Sequence, residues 1–501
     1  MKLSELFGRA DIEYPCDRGD IEIKNIVTDS RKVGEGSVFV CISGLHFDGH
    51  DYIGEAIEKG AVVIVAEQVR DDCVGGAAAI YVENTRRAAA LLYNVWYGDP
   101  SKDMKIIAVT GTNGKTSVSY MLKHIFEFVG YRCGVIGTIR CLCNGKEIET
   151  KAYSETANMT TPDPEELYRI LGVMRDLGAE YVFIEASSHA LAYSKLDGLR
   201  FDSAIFTNLT RDHLDFHGDM EKYFAAKAKL FSMSEKIFIN IDDSFGRRLL
   251  TEADAKEIYT TSSKMNADFF AENIKISRNF GCRYRLRSQK AEQEIRISSP
   301  GRFFVNNSLQ AAAVALREGI TLEDVSRALD EFCGVDGRME SVELEENADI
   351  SVIIDYAHTP DAFENLLRSI RDIKNGNERI IFLFGCGGER DRSKRREMAH
   401  IASRLSDVVI VTSDNSRGES PEKIISDILR GIDKEKEYKV IKNRESAIEY
   451  AVRVSRAGDI IVLAGKGHER YEIDDKGKHP FDEREIVKRA YLKYKKFLGG
   501  Q

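Results

Sequence analysis

The run Ile106 to Ser117, IIAVTGTNGKTS, constrains this chain more than any other feature of it. An apolar stretch ends in a turn containing Gly111 and Gly114, and Lys115 and Thr116 then open the helical pattern SVSYMLKHIFEFVG. Strand, glycine turn and helix follow in the order from which a phosphate cradle is built. Glycines let backbone amides face an anion, the helix N-terminus adds a positive field, and Lys115 supplies a charge for the outer phosphates. Thr116 can offer its hydroxyl to Mg²⁺. An ordinary strand-to-helix turn is the plainer alternative, but the coincidence of strand, glycines, Lys and Thr favours ATP or GTP held by Gly111, Thr112, Asn113, Gly114, Lys115, Thr116 and Ser117. The spacing G-x-x-G-K-T is shorter than the G-x-x-x-x-G-K-[ST] of generic nucleotide triphosphatases, which directs attention to ligases.

The rest of the chain repeats the α/β theme. Ser37 to Ile42 and Ala61 to Ala66 read as β-rich runs among glycine turns, a small α/β domain ending at the break Tyr97-Gly98-Asp99-Pro100. Lys105 to Thr110, Tyr181 to Glu185, Ala204 to Thr207 and Lys236 to Asn240 alternate with helical segments, as a parallel sheet with crossover helices requires. From Ser351 the alternation restarts with SVIID, RIIFLFG, DVVIVT and DIIVLAG, a doubly wound pattern. Three domains are expected, over residues 1–100, 101–336 and 337–501, with the second join near Gly334 to Arg338.

Totals narrow the function classes. The 501 residues carry 72 Lys and Arg against 81 Asp and Glu, a formal charge of −9 that argues against nucleic-acid binding by phosphate neutralisation. The nine cysteines are irregularly spaced, with Cys141 and Cys143 the one close pair, so neither a disulfide framework nor a zinc ribbon is legible and reduced thiols in a cytosol fit better. The N-terminal stretch MKLSELFGRADIEY lacks a secretory h-region, and no apolar run reaches membrane-spanning length. A soluble cytoplasmic enzyme without membrane insertion is the expectation.

Two sheet edges concentrate further chemistry. Glu185 ends the strand YVFIE, where parallel sheets place ligands, and reads either as a Mg²⁺ ligand or as a solvated loop acid beside a capping pair, Ser187 and Ser188. Thr207 to Gly218, TNLTRDHLDFHG, packs two His, two Asp and an Arg into twelve residues, with His213 beside Asp212 and Asp215. In EKYFAAKAKLF, Tyr223, Lys227 and Leu230 share a helix face, so Lys227 is not clearly on the solvent side, although a snorkelling lysine is the blander reading.

With these segments in view, TGTNGKTS resembles the loop of the Mur ligase family, which also contains folylpolyglutamate synthetases. The resemblance spans nearly the whole chain. It implies a small N-terminal UDP-binding α/β domain, a central P-loop ATPase-like parallel-sheet domain and a C-terminal Rossmann-like doubly wound domain. It also implies that ATP phosphorylates a carboxylate to an acyl phosphate, which an amine then attacks. The lysine of the AK…LF segment, Lys227, would be carbamylated; Thr116 and Glu185 would serve one Mg²⁺, and Glu185, His213 and carbamylated Lys227 the other. Lys115, Lys227 and His213 would be the catalytic set.

The branch resembled most adds a diamino acid to UDP-N-acetylmuramoyl-L-Ala-D-Glu during peptidoglycan synthesis, as a monomer. VTDSRKVGEGSVFVCISG and DGHDYIGEAIEKGA resemble its uridine-diphosphate segment, with Ser30 between Asp29 and Arg31, a triplet that unaided is only a turn. Thr160, Thr161, Ser188 and Lys195 resemble its dipeptide contacts, Tyr193 and Lys195 standing where the family commonly has Gln and Arg. Asn307 in NNSLQAAA, Arg338 in GRME and Asp355 in DYAHTP resemble adenine, phosphate and ribose contacts, with Phe304 in place of a family asparagine and His358 on the same seam. Unaided, Asn307 reads as a helix cap and Asp355 as a strand-end acid.

By the same resemblance Arg390, Asp414, Asn415, Arg417, Gly465 and Glu469 would hold the incoming amino acid, their loops FGCGGERDRSKR, TSDNSRGESP and AGKGHERY each following a strand. Users of meso-diaminopimelate carry D-N-P-R where this chain has DNSR; the Arg is kept and the Pro is not. The distal carboxylate of diaminopimelate suits paired charge-assisted hydrogen bonds from Arg417, whereas L-lysine, the alternative substrate, leaves that Arg unpaired. An Arg417 that merely caps a helix is the structural alternative. A folylpolyglutamate synthetase is the more distant reading, which the N-terminal segment and DNSR disfavour.

Overall fold

The computed structural model describes residues 1–14, 21–44, 47–68, 76–150, 159–278, 281–345, 348–374 and 376–498. Two compact units emerge: Met1–Ala108 with Tyr131–Ala204 and Ala226–Glu235, and Val109–Gly130 with Ile205–Ala225 and Lys236–Gln501.

In the first unit, Asn25–Val27, Ser37–Val40, Ala61–Ala66 and Ala78–Tyr81 form a parallel sheet in sequence order. Val27, Phe39, Ile64 and Ile53 make its core, and the helix Thr85–Trp96 is tied to the edge strand by the Tyr93 hydroxyl, which donates to the Ile26 carbonyl at 3.0 Å. The same unit holds Tyr181–Glu185 paired parallel with Cys133–Ile136, which turns back through Cys141–Cys143. All five side chains of Tyr181–Glu185 are buried, as expected of a parallel strand covered on both faces.

In the second unit the helix Lys115–Phe128 leaves the glycine turn, and the strands Ser234–Asn240 and Glu257–Ser262 run parallel. Phe269–Ser277, Gly281–Ser288 and Glu292–Ile297 then form an antiparallel ladder. The ladder lies outside the strands expected above, although in Gly281–Ser288 and Glu292–Ile297 charged residues alternate with others, Tyr284, Leu286, Ile295 and Ile297 facing inward, as a half-buried strand requires.

The C-terminal part is a six-stranded sheet in the order Glu340–Ser341, Ser351–Asp355, Ile460–Ala464, Ile380–Phe384, Val408–Val411, Glu437–Val440, all parallel except the first pair. Ile381 and Leu383 pack toward Ala447, Ile448, Val487 and Ala490 on one face. Phe382 and Phe384 meet the Phe363 ring on the other, at 4.9 and 5.1 Å, so the sheet is doubly wound as read from the sequence. Because Ile460–Ala464 lies beside Ile380–Phe384, and that strand beside Val408–Val411, the loops following these three strands leave neighbouring carboxyl ends.

Strand limits differ slightly from expectation. Phe201–Phe206 starts earlier than Ala204, since Asp202 breaks the apolar run while its carboxylate accepts from the Ile106 amide at 2.9 Å. Among the described residues no helix is long and apolar enough to cross a membrane.

Candidate active site

The phosphate loop is shaped by what surrounds it. Gly111 has φ +148°, and a Cβ there would lie 1.9 Å from Thr207 Oγ1; Gly114 has φ +87°, and a Cβ would meet Asn307 Oδ1 at 2.6 Å. A side chain at either place would collide as well as strain the backbone. The loop is laced to the segment after Phe206. Thr112 N donates to Asn208 O and Asn113 N to Asn208 Oδ1, both at 2.9 Å, while Thr207 Oγ1 donates to Asn113 O at 2.6 Å. Thr112 Oγ1 accepts from Thr210 N at 3.0 Å and lies 3.2 Å from the Tyr223 hydroxyl. The beginning of TNLTRDHLDFHG is thus a brace for the loop. Lys115 Nζ donates to the Gly111 and Thr112 carbonyls, each at 2.9 Å, which holds the ammonium over the turn. Thr116 and Ser117 are buried in the first helical turn, and Arg338 Nη2 donates to Thr116 Oγ1 at 3.2 Å.

Asn307 sits inside the helix Arg302–Arg317, capped by Gly301, so the helix-cap reading of Asn307 is replaced by a place against Gly114. A polar cavity of about 830 Å³ is lined by Asn208, Asn240, Phe303, Asn306, Asn307 and Asp361 among others. Phe303, Asn306 and Asn307 share a helix face, whereas Phe304 is fully buried and does not line the cavity. Asp355 Oδ2 accepts from Met339 N and Oδ1 from Ala357 N, both at 2.7 Å. Burial raises its pKa, with Arg338 opposing. Asp355 thus does the work of a strand-end acid, whatever else it binds.

His213 follows Asp212 at φ +53° and starts the short helix Leu214–His217. Asp212, rather than His213, is the hub: its carboxylate lies 3.3 Å from His213 Nε2, 3.6 Å from Lys394 Nζ and 4.0 Å from His358 Nε2. Burial alone would raise Asp212, but Lys394 and the two imidazoles outweigh it and hold the carboxyl well below its ordinary range. His358 is therefore near this cluster, its Nδ1 2.8 Å from Tyr356 O, and Asp215 is exposed.

In the first unit, Glu185 has no exposed surface, which removes the solvated-acid reading. Its Oε1 accepts from Thr138 N at 3.0 Å and its Oε2 from Thr138 Oγ1 at 2.9 Å. A Cβ on Gly137 would come within 2.1 Å of Oε1, so the missing side chain leaves the carboxylate room. Thr138 Oγ1 is 3.1 Å from Thr160 Oγ1, and Thr161 Oγ1 donates to Glu185 O at 2.7 Å. Ser187 caps the helix Ser188–Ala192, leaving Ser188 buried at its first position. Thr138, Thr160, Thr161, Ser187 and Glu185 are therefore one hydrogen-bonded cluster, with Ser188 next in the chain. Lys195 pairs with Asp163 at 2.8 Å and donates to Met159 Sδ at 3.4 Å. Lys227 is 1% exposed, together with Tyr223 and Leu230, which overturns the snorkelling alternative. Ser30 opens a 3₁₀ turn capped by Asp29. Arg31 grips both Asp29 oxygens, at 2.9 and 2.8 Å, and holds that carboxyl down to about 2.

The three C-terminal loops meet as the strand order dictates. Asn415 Nδ2 donates to Glu469 Oε2 at 2.7 Å, and Asn415 N to Asp414 Oδ1 at 2.6 Å. Lys466, with no exposed surface, donates to Asn415 Oδ1 at 2.9 Å and lies 3.8 Å from Asp414 Oδ1. Arg444, equally buried, pairs with Glu483 at 2.8 Å and ties Ser413 O and Ala464 O together. Burial works against it, yet Lys466 and Arg444 hold Asp414 below its ordinary pKa. Gly465 N donates to Asp355 O at 3.0 Å. Arg417, at φ +52°, donates through Nη1 to Gly388 O and Asn415 O, so it bridges loops and caps no helix. The guanidinium of Arg390 is pushed down by burial first and by the like charge of Arg417 second. Sequence reasoning missed Asn208, Lys466 and Arg444. Asn208 and Lys466 carried a signal, the first in the segment TNLTRDHLDFHG and the second in a glycine loop after a strand, whereas Arg444 carried none.

Residues 22–108 match the Mur ligase family catalytic domain, 109–315 the Mur ligase middle domain, and 337–467 the Mur ligase glutamate ligase domain. The chain is 42% identical over 488 residues to UDP-N-acetylmuramoyl-L-alanyl-D-glutamate--2,6-diaminopimelate ligase 1 of Clostridium acetobutylicum, covering 97% of this chain and 98% of that protein. It is also 42% identical over 497 residues to a 2,6-diaminopimelate ligase of the same name from Clostridioides difficile, covering 98% and 100%. A solved structure of a ligase of that name aligns with TM-score 0.69 and 30% identity over 99% of this chain and 100% of the other. The chain belongs to the Mur ligase family.

Proposed function

We propose that this ligase joins meso-2,6-diaminopimelate to the D-glutamyl γ-carboxylate of UDP-N-acetylmuramoyl-L-Ala-D-Glu at the expense of ATP, in the cytoplasm and as a monomer. The observation that carries the reading is the full-length similarity to ligases named for that reaction, at 42% identity. The order of the chain supports a division of labour, with a UDP part to about residue 100, an ATP part to about 336 and an amino-acid part beyond.

The γ-carboxylate oxygen attacks the γ-phosphorus of ATP and ADP leaves, giving an acyl phosphate. The amine then attacks the acyl carbon, phosphate leaves and the nitrogen loses a proton. Gly111 to Ser117 hold the phosphates, and Lys115 offsets the charge that builds between β- and γ-phosphates. Asn307, beside Gly114 and lining the polar cavity, faces the base, with Arg338 and Asp355 toward phosphate and ribose. Ser30, Thr160, Thr161, Ser188 and Lys195 bind the UDP-linked dipeptide. Arg390, Asp414, Asn415, Arg417, Gly465 and Glu469 bind the amino acid, Glu469 taking its ammonium and Arg417 its distal carboxylate.

By the family resemblance Thr116, Glu185 and His213 would hold magnesium; of these the buried Glu185 carboxylate, with the space left by Gly137, is an oxygen donor of the kind that cation takes. Lys227, buried on its helix, would add a second carboxylate as a carbamate. When bound, the cation offsets repulsion between nucleophile and phosphate.

Purified protein supplied with ATP, the UDP-linked dipeptide and diaminopimelate should release ADP and form a product heavier than the dipeptide by diaminopimelate less water. ADP release that is absent, or independent of the dipeptide, overturns the reading. Ser416 in DNSR is the observation that keeps L-lysine as a second reading, and equal turnover with lysine would favour it.

A further inference from the structure

We propose that Lys466 is a positioning residue of the amino-acid pocket: it fixes the Asn415 side chain so that its amide hydrogens stay on Glu469 and the Glu469 carboxylate is presented to the ammonium of the incoming amino acid. This rests on the pocket assignment above. Lys466 has no exposed surface and so does not reach substrate itself. Its Nζ donates to Asn415 Oδ1 and Tyr471 O, both at 2.9 Å, and stands 5.5 Å from the Phe481 ring centroid. A buried ammonium is costly unless paired in this way.

The two ends of an asparagine amide have the same shape, so only their partners decide which way it points. Here Oδ1 takes hydrogens from Lys466 and from Ile473 N, at 2.9 and 3.0 Å, leaving Nδ2 to Glu469 Oε2 at 2.7 Å. The flipped amide would set its NH₂ against an ammonium and its carbonyl against a carboxylate. Lys466 makes that arrangement unfavourable at one end and Glu469 at the other.

The groups facing Glu469 are Asp414, Lys466, Tyr471 and Tyr356, with the Asn415 amide. Burial and Asp414 push the Glu469 carboxyl up to about 7, while Lys466, Asn415 and Tyr471 pull it back. Without Lys466 its charge is lost and Asn415 Oδ1 keeps Ile473 N as its one donor, so the amide is held less firmly. Glu469 then keeps its proton to higher pH, and a neutral acid is a poor partner for an ammonium.

The test is the KM for each of the three substrates, with the pH profile of kcat/KM for the amino acid, in wild type, K466M, E469Q and the double variant. K466M should raise the diaminopimelate KM roughly ten- to hundredfold. It should leave the KM for ATP and for the UDP-linked dipeptide within about twofold, and move the acid limb of the profile to higher pH. In the E469Q background K466M should add less than about threefold, because the carboxylate it serves is gone. An unmoved limb, or equal losses for all three substrates, overturns the proposal. Should K466M fail to fold, N415A interrupts the same relay one bond further on, and a limb that stays put there overturns it too. Wild-type protein that makes no product with diaminopimelate overturns the pocket assignment and this inference together, whereas product with an unmoved limb overturns only the role of Lys466.

Discussion

The phosphate loop and the amino-acid pocket stand at the carboxyl ends of strands, yet they are built from different materials. The loop is backbone: two glycines that admit no side chain, amides turned by Asn208, and carbonyls that seat Lys115. The pocket is side chain: Asp414 and Asn415 come from the loop after Val408–Val411, Lys466 and Glu469 from the loop after Ile460–Ala464 and Arg444 from a helix start, and all lie almost wholly out of water. A backbone site can be encoded in seven consecutive residues, and a side-chain site only in the strand order that brings its loops together. The first should therefore fail locally and for every substrate of the reaction. The second should fail selectively, for one substrate, and with pH.

The largest expected effect follows from Lys115. K115M keeps most of the stem and deletes the charge, so kcat should fall on the order of a hundred- to a thousandfold with either diaminopimelate or lysine. The melting temperature should change little, because the brace through Thr207, Asn208 and Thr210 does not use the ammonium. Steady-state kinetics beside a thermal melt checks both halves. A loss confined to one amino acid would erase the contrast between the two sites.

Arg417 carries the opposite expectation. Its guanidinium already bonds to the Gly388 and Asn415 carbonyls through Nη1, which aims the fork without using all five N–H groups. R417M should lower kcat/KM for diaminopimelate roughly ten- to hundredfold and leave ATP binding unchanged. The preference over lysine should shrink by the same factor. Competition between the two amino acids measures it directly, and a preference that survives R417M would assign the discrimination to other residues.

What the sequence discloses follows the same division. The loop, the strand-end position of Glu185 and the helix face shared by Tyr223, Lys227 and Leu230 are local patterns, and each is found where those patterns put it. Asp212 as a hub is not local, since Lys394 and His358 reach it from other segments of the chain. GKGHER has the composition of a solvated turn, and only the neighbouring strands show that its lysine is sealed from water. The edge strand Glu437–Val440 is hard to read for a different reason: it is four residues long, set in the charged run DKEKEYKVIKNRE, and all four of its side chains are exposed. Asn307 illustrates the converse, a polar residue near a helix start whose place is decided by the glycine opposite it.

The smallest effect, and the one that isolates the side-chain site, is a pH dependence of stability centred on Glu469. Its carboxyl is raised in the folded protein, by burial first and Asp414 second, to about 7 from 4.5. A raised pKa means that the fold holds the proton more tightly than the unfolded chain does. The contribution is therefore complete below about pH 4.5 and is lost as pH rises through 7. At about 1.36 kcal/mol per unit, raising pH from 5.5 to 7 costs the wild type roughly 2 kcal/mol relative to E469Q, which stays neutral throughout. Melting curves of the two proteins at a series of pH values should converge toward pH 5 and separate toward pH 7, wild type becoming the less stable. Parallel curves would mean that Glu469 carries no unusual proton affinity. The phosphate loop offers a control: K115M removes a group seated on backbone carbonyls, and its melting curve should follow wild type across the same interval.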